Sequence, residues 1–190
     1  MAQQELLTRV VEELEKLSIP YVVTGSWASS LQGEPRSTHD VDLVVALQSE
    51  QVPALLEAFL DPDYYLSDVS VAEAIRHQSM FNLLHIRSGE KVDFWIRTTE
   101  PWDLKRFDRR IAINLFGRDV WVTTPEDTIL AKLRWSKLSG GSEKQFNDAL
   151  RVFEVQRSHL DLDYIADWAN TLHLDEMWQR LKSTADAEQS

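Results

Sequence analysis

The chain has 190 residues, of which 43% are hydrophobic, so it can bury the core of one domain with a helical extension. The absence of cysteine excludes disulfides and cysteine-ligated zinc, and it favours a cytoplasmic setting. A formal net charge of −11 disfavours a broad nucleic-acid surface, and no apolar run approaches the roughly 20 residues of a membrane-spanning helix.

The first two thirds of the chain alternate between helical and strand patterns. Apolar residues recur at helical spacing in some segments, and β-branched runs fill others. In chain order, these patterns predict helix Gln4–Leu17, strand Tyr21–Thr24, helix Trp27–Leu31, strand Val41–Ala46, helices Ser49–Leu60 and Val71–His77, strands Ser79–Ile86 and Lys91–Arg97, and a hairpin of Ile111–Leu115 with Asp119–Val122.

From Thr124 onward the patterns are helical only. Thr124 is a plausible N-cap, Pro125 suits the first helical position, and Asp127 follows three residues after the cap. The predicted helices are Pro125–Leu138, Glu143–Gln156, Leu162–Leu172 and Asp175–Lys182. We therefore predict an α/β (α+β) fold: a mixed sheet flanked by helices over residues 1–123, and a C-terminal helical region, 124–190, packed on it as one unit.

Two acids open the strand that begins at Asp40. In Asp40-Val41-Asp42, the two carboxylates share one face because side chains alternate along a strand. Two unit charges about 4 Å apart repel by about 4 kcal/mol at an effective dielectric near 20, so something must compensate. A hard divalent cation such as Mg²⁺ does so directly, because it takes carboxylate oxygens together with substrate phosphates. A solvated strand end is the alternative.

A third acid, Asp93, lies on the polar face of the alternating strand Lys91-Val92-Asp93-Phe94-Trp95-Ile96. If this strand lies beside the first, three carboxylates converge, as a two-metal site requires. The alternative is a salt bridge at the surface, with Lys91 as partner.

A small-residue turn, Gly25-Ser26, links a predicted strand to a helix. Glycine permits close backbone approach, and amides at a helix N-terminus bind phosphate. Arg36, four residues before Asp40, is placed to reach the same phosphates. An ordinary turn and a surface arginine are the alternatives for these two features.

In this order, the motifs resemble the polymerase-beta-like nucleotidyltransferases. That pattern has an apolar strand, Gly followed by Gly or Ser, a spacer, and then Asp-apolar-Asp, here Gly25-Ser26 and Asp40-Val41-Asp42. The sequence Arg36-x-Thr38-x-Asp40 is similar to the small bacterial branch with toxin-antitoxin and abortive-infection proteins. Thr124-Pro125-Glu126-Asp127 with Lys132-Leu133, and the later Lys144 to Asp148, are similar to the helices that follow the sheet there.

The resemblance implies a metal-dependent enzyme that transfers a nucleoside monophosphate from ATP or another NTP to an acceptor hydroxyl, with release of pyrophosphate. It implies Mg²⁺ or Mn²⁺ on Asp40, Asp42 and Asp93, with Asp93 also a candidate for deprotonating the acceptor. Gly25 and Ser26 would hold the phosphates. Lys132 is a further candidate for a phosphate contact, and a solvated lysine is its alternative.

The sequence does not identify the acceptor or any other partner molecule. The acceptor is a small molecule, a protein or RNA, and the acidic charge favours a cationic small molecule or a protein; no DNA and no membrane are expected. A non-catalytic, antitoxin-like partner protein with the same fold is the alternative function. Among the tryptophans, Trp27, Trp95 and Trp102 are candidates for stacking on a base or acceptor, and we expect Trp135, Trp168 and Trp178 to pack between the C-terminal helices.

Overall fold

The computed structural model describes residues 3–35 and 40–188, which form two compact units. One unit contains residues 3–24 and 40–122, and the other contains residues 25–35 and 123–188. Arg36, Thr38 and His39 lie outside the described residues. The predicted packing of the C-terminal region on the core as one unit stays a prediction.

The first unit contains a mixed sheet of seven strands in the order β3-β4-β5-β2-β1-β7-β6. The strands are β1 (Tyr21–Thr24), β2 (Asp40–Val45), β3 (Tyr64–Leu66), β4 (Met80–His85), β5 (Lys91–Ile96), β6 (Ile111–Leu115) and β7 (Arg118–Val122). The mixed α/β fold that the sequence predicts is thereby confirmed.

The register at the centre of the sheet decides which side chains meet. Strand β2 runs parallel to β5, with Asp42 opposite Asp93. It runs antiparallel to β1, with Thr24 opposite Asp42. Since residues directly opposite each other point to the same side of a sheet, the side chains of Thr24, Asp42 and Asp93 share one face.

Four helices pack around this sheet: α1 (Gln3–Lys16), α3 (Val52–Ala58), α4 (Asp68–His77) and α5 (Pro101–Asp108). Helix α1 contacts β5 and α3, and α4 contacts β4 and β5. The face opposite the acids is apolar and buried, and Phe81 and Phe94 stack there with ring centroids 4.8 Å apart. On the acid face, Phe107 of α5 packs with Val22 and Val44.

The second unit is helical. It consists of α2 (Gly25–Gln32), α6 (Pro125–Leu138), α7 (Glu143–Gln156), α8 (Leu162–Thr171) and α9 (Asp175–Glu188). The predicted start of α6 is confirmed, because the Thr124 side chain accepts a hydrogen bond from the Asp127 amide and Pro125 occupies the first turn. Helix α2 contacts α6 and α7, so this short segment belongs with the helices that follow the sheet.

One strand and one α-helix of the described residues were not predicted from the sequence, β3 and α5. Strand β3 has only three residues and pairs with β4 at the sheet edge, so its pattern is too short to show a period. Helix α5 begins at Pro101, and Pro at the first turn is a start signal that the sequence does carry. Of the three tryptophans expected to pack between the C-terminal helices, Trp178 is buried, Trp168 is half-buried and Trp135 is 45% exposed.

Candidate active site

The structure brings Asp40, Asp42 and Asp93 together on one face of the sheet. Asp42 and Asp93 are directly opposite each other on β2 and β5, and Asp40 is opposite Lys91 one pleat further on. Burial increases across the group: the Asp40 side chain is 55% exposed, Asp42 is intermediate, and the Asp93 side chain is only 11% exposed. The cluster therefore extends from the solvent to the interior.

The first residue of β5, Lys91, supplies a positive charge to the cluster. Its Nζ lies 2.9 Å from Asp93 Oδ2 and 3.8 Å from Asp40 Oδ1. The hydrogen bond to Asp93, joined by the negative charge of the three carboxylates, raises the pKa of Lys91 despite the opposing effect of desolvation. The salt bridge that the sequence offered as an alternative for Asp93 is thus present, in the same cluster as the other two acids.

Asp42 is held from the interior side of the cluster. The Trp95 indole Nε1 donates a hydrogen bond to Asp42 Oδ1 at 3.4 Å. The Trp95 ring packs against the apolar layer of Val22, Val44 and Phe107 beneath the acids. The Trp95 indole, a neutral donor, therefore positions the Asp42 carboxylate. The apolar layer restricts the movement of the indole ring.

Two further polar residues lie in the same lateral row. Asn82 on β4 is opposite Asp93, and Thr24 on β1 is opposite Asp42. Asn82 is exposed and Thr24 is buried. Sequence reasoning missed both as site residues, because strand order, which local periodicity does not contain, places them beside the acids.

Three of the phosphate-binding candidates, Gly25, Ser26 and Lys132, lie in the helical unit, apart from the acids on the sheet. Gly25, at the start of α2, has a φ of +65°, a conformation that favours glycine. Lys132 Nζ of α6 lies 2.7 Å from Asp148 Oδ2 of α7 and 3.5 Å from Ser26 Oγ. The Lys132 side chain is 4% exposed, so the solvated lysine of an amphipathic helix is excluded.

Carboxylates of this kind suit a divalent cation. All three side chains offer hard oxygen donors, which Mg²⁺ and Mn²⁺ prefer. Asp93 Oδ1 is buried and has no hydrogen-bond partner among the described residues, so it retains an unused acceptor where a ligand atom is needed. Within residues 3–35 and 40–188, no three His, Cys, Asp or Glu side chains stand ready-made in metal-binding geometry.

Two of the three stacking candidates are enclosed by the protein. Trp102 is buried under the guanidinium of Arg106, which lies 4.6 Å from the ring centroid, and Trp27 is 9% exposed. Trp95 is half-buried and engaged with Asp42. The structure therefore indicates packing for Trp102 and Trp27 and a role in the acid cluster for Trp95.

Comparison with known proteins agrees with the nucleotidyltransferase resemblance. The fold resembles that of an antigenic nucleotidyltransferase-like protein from Paracoccidioides brasiliensis, with a TM-score of 0.57 and 18% identity, over 95% of this chain and 92% of that chain. It also resembles the solution structure of the antibiotic-resistance factor ANT(2'')-Ia, with a TM-score of 0.58 and 12% identity over 98% and 96% of the chains. The crystal structure of ANT(2'')-Ia in complex with adenylyl-2''-tobramycin matches at a TM-score of 0.50 and 13% identity, over the whole of both chains.

Identities this low show the fold alone, and the chain therefore has the fold that these nucleotidyltransferase-like and antibiotic-resistance proteins share. More particularly, the family model for aminoglycoside-2''-adenylyltransferase matches residues 6–88, a segment that contains Gly25, Ser26, Asp40 and Asp42 and ends before Asp93. No curated relative matches the chain at the level of sequence. No helix of the described residues is long and apolar enough to cross a membrane.

Proposed function

We propose that this protein is a nucleotidyltransferase that moves a nucleoside monophosphate from an NTP to the hydroxyl of an acceptor. The observation that carries the proposal is the convergence of Asp40, Asp42 and Asp93 on one sheet face, with a buried Asp93 oxygen that no described residue satisfies. The single ammonium of Lys91 offsets only part of the negative charge of three carboxylates, so the cluster still favours a bound cation. The partial match to an adenylyltransferase family model supports the same reading.

Each chemical requirement of such a transfer has a candidate residue in this chain. Asp40, Asp42 and Asp93 would hold Mg²⁺ or Mn²⁺, and a bound divalent ion lowers the pKa of a hydroxyl and neutralises phosphate charge. Gly25 and Ser26 follow Thr24 in the chain and would bind phosphate through the backbone and the Ser26 hydroxyl. Lys132 would contribute a positive charge to the same phosphates. Arg36 stays a sequence-based candidate.

In the reaction, the acceptor oxygen forms a bond to the α-phosphorus of the NTP. The bond from the α-phosphorus to the oxygen that bridges it to the β-phosphorus breaks, and pyrophosphate leaves. Asp93 Oδ1 is proposed to accept the proton of the acceptor hydroxyl, because it is a buried carboxylate oxygen with no hydrogen-bond partner among the described residues. Positioning and electrostatic stabilisation supply most of the rate in phosphoryl transfer.

The proposed acceptor is a small, cationic molecule with a free hydroxyl. The chain's net charge of −11 attracts cations and repels an RNA backbone. The family model that matches is named for adenylyl transfer to an aminoglycoside, a hydroxyl-rich polyamine, which supports the same class. Membership of a toxin-antitoxin system stays a prediction from the sequence.

The test is transfer of label from [α-³²P]NTPs. The protein is incubated with each NTP, Mn²⁺ or Mg²⁺, and a panel of acceptors that includes polyamine antibiotics, a neutral hydroxylated antibiotic, tRNA and the protein itself. We expect label on a cationic small molecule, equimolar pyrophosphate, and complete loss of transfer in excess EDTA. Absence of labelled product with every NTP and acceptor, while the protein is folded and binds nucleotide, would favour the non-catalytic alternative.

A further inference from the structure

The acid cluster already contains a cation of its own, the ammonium of Lys91. It donates a hydrogen bond to Asp93 at 2.9 Å and lies 3.8 Å from Asp40, so one nitrogen contacts both the most buried and the most exposed acid. The Lys91 and Asp93 side chains lie on the same face of β5, two residues apart, as alternation along a strand requires. This position between the carboxylates is also the position that a divalent ion needs.

A divalent ion and the Lys91 ammonium cannot both occupy the space between the same carboxylates. Like charges at contact distance repel strongly, and the effective dielectric of a partly buried site screens this repulsion less than water does. The oxygen that Lys91 uses, Asp93 Oδ2, is one of the oxygens that would coordinate the ion. Binding of the ion therefore requires that Lys91 leave the carboxylates.

Several features allow the Lys91 side chain to move away from the carboxylates. Its side chain is 33% exposed, and it stands at the first position of β5, next to the turn that precedes the strand. A lysine has a four-carbon stem with several rotatable bonds, so its head group can move without a change in the backbone. Among the described residues, the ion pairs of Lys91 are with Asp93 and Asp40, and no rigid bidentate geometry holds the head group in place.

We propose that Lys91 is an internal counterion that competes with the divalent cation for Asp40, Asp42 and Asp93. This inference rests on the proposed function, because it assumes that the acids are the metal ligands. Its consequence is that the ion binds weakly on its own and tightly with the nucleotide. The negatively charged oxygens of the triphosphate coordinate the ion, and they also attract the displaced Lys91 ammonium. Nucleotide and ion therefore bind cooperatively.

The experiment measures binding of Mn²⁺ alone to the full chain, from the EPR signal of free Mn²⁺, with and without a non-hydrolysable NTP analogue. The variants are Lys91→Met, Lys91→Gln and Lys91→Arg. Lys105→Met is the matched control, because Lys105 is exposed on α5 and its loss changes the net charge by the same amount. Circular dichroism and thermal melts establish that each variant is folded, and Lys91→Gln retains an N–H donor if Lys91→Met does not fold.

We expect Lys91→Met and Lys91→Gln to bind Mn²⁺ at least about tenfold more tightly than the wild type in the absence of nucleotide, because a competing charge has been removed. Lys91→Arg and Lys105→Met should stay within about twofold of the wild type on the same argument. The nucleotide analogue should strengthen Mn²⁺ binding much more in the wild type than in Lys91→Met.

Equal or weaker Mn²⁺ binding in the two neutral variants would overturn the inference while leaving the metal site intact. Failure of both the wild type and the variants to bind Mn²⁺, with and without nucleotide, would overturn the inference together with the metal dependence of the proposed function. An equal gain in affinity for Lys105→Met would mean that net charge, rather than the position of Lys91, sets the affinity.

Discussion

Two lysine–aspartate pairs in this protein have similar distances and similarly buried aspartates, but their lysines differ in exposure to solvent. Lys91 and Asp93 lie 2.9 Å apart on the sheet, with side chains 33% and 11% exposed. Lys132 and Asp148 lie 2.7 Å apart in the helical unit, with side chains 4% and 9% exposed. In the first pair solvent reaches the cation, whereas in the second pair both charges are enclosed by protein.

The difference in burial separates what the two pairs can do. When a buried ion pair separates, no water is present to solvate either charge. The Lys132–Asp148 pair therefore has to stay formed, unless one of its members binds another charged group instead. A partly exposed lysine recovers hydration when it moves away, but Asp93 stays buried, so the Lys91–Asp93 pair can open at low cost only when another cation takes the place of the ammonium. The sheet cluster is therefore suited to exchange a cation, and the helical pair is suited to hold Lys132 in a fixed position.

The largest expected effect is on the buried pair. Lys132→Met should lower the free energy of unfolding by about 3–5 kcal/mol, because it removes the ammonium that lies 2.7 Å from the buried Asp148 carboxylate. Urea denaturation measures the change. The double variant Lys132→Met/Asp148→Leu should recover most of the loss, since neither charge then remains. A loss of less than about 1 kcal/mol in the single variant, typical of a surface pair, would remove the contrast between the two pairs.

The second-largest effect is expected on the rate of nucleotidyl transfer rather than on the free energy of unfolding. Asp93→Asn should lower the rate of nucleotidyl transfer at least about a hundredfold, the scale typical of removing one group that stabilises a transition state, and leave nucleotide binding largely intact. Single-turnover transfer from a labelled NTP measures it. Asp119→Asn is the matched control, because it makes the same change on an exposed position of β7. Retained turnover in Asp93→Asn would exclude Asp93 from the mechanism.

A smaller effect tests the packing of Gly33 against α7, the helix that contains Asp148. A Cβ added at Gly33 would lie 2.9 Å from the Val152 amide nitrogen and 3.0 Å from the Arg151 carbonyl carbon, both backbone atoms of α7. Gly33→Ala should therefore destabilise the protein by about 1–3 kcal/mol, the usual cost of overpacking. Thermal unfolding measures it, and Gly140→Ala is unsuitable as a control because its φ of +69° adds strain.

The smallest effect is expected at the sheet pair. Lys91→Met should lower the free energy of unfolding by about 1–2 kcal/mol in metal-free buffer, less than Lys132→Met, because solvent reaches Lys91 and Asp40 although Asp93 is nearly as buried as Asp148. Urea denaturation in EDTA, run beside Lys132→Met, gives the comparison directly. A cost for Lys91→Met as large as that for Lys132→Met would mean that Lys91 holds the sheet together and is not free to leave the carboxylates.

Much of the fold could be predicted from local patterns. The helices α1, α6, α7 and α8 and the strands β1, β2 and β5 appear close to their predicted bounds, because each carries a clear apolar period or cap. Strand β3 is too short for a period, and α5 was missed although Pro101 marks its start. Part of the candidate site could also be predicted from a local pattern. Two acids at positions i and i+2 of a strand share a face wherever that strand lies in the sheet.

The sequence by itself determined that Asp40 and Asp42 point the same way and that Asp93 faces away from an apolar strand side, because side-chain direction along a strand is a local property. Only the tertiary structure decided that β2 lies parallel to β5 with Asp42 opposite Asp93, and that Lys91 stands between Asp40 and Asp93. It alone decided that Lys132 is buried against Asp148. Strand order and helix packing are set by which surfaces the whole chain can bury together, and no local pattern contains that information.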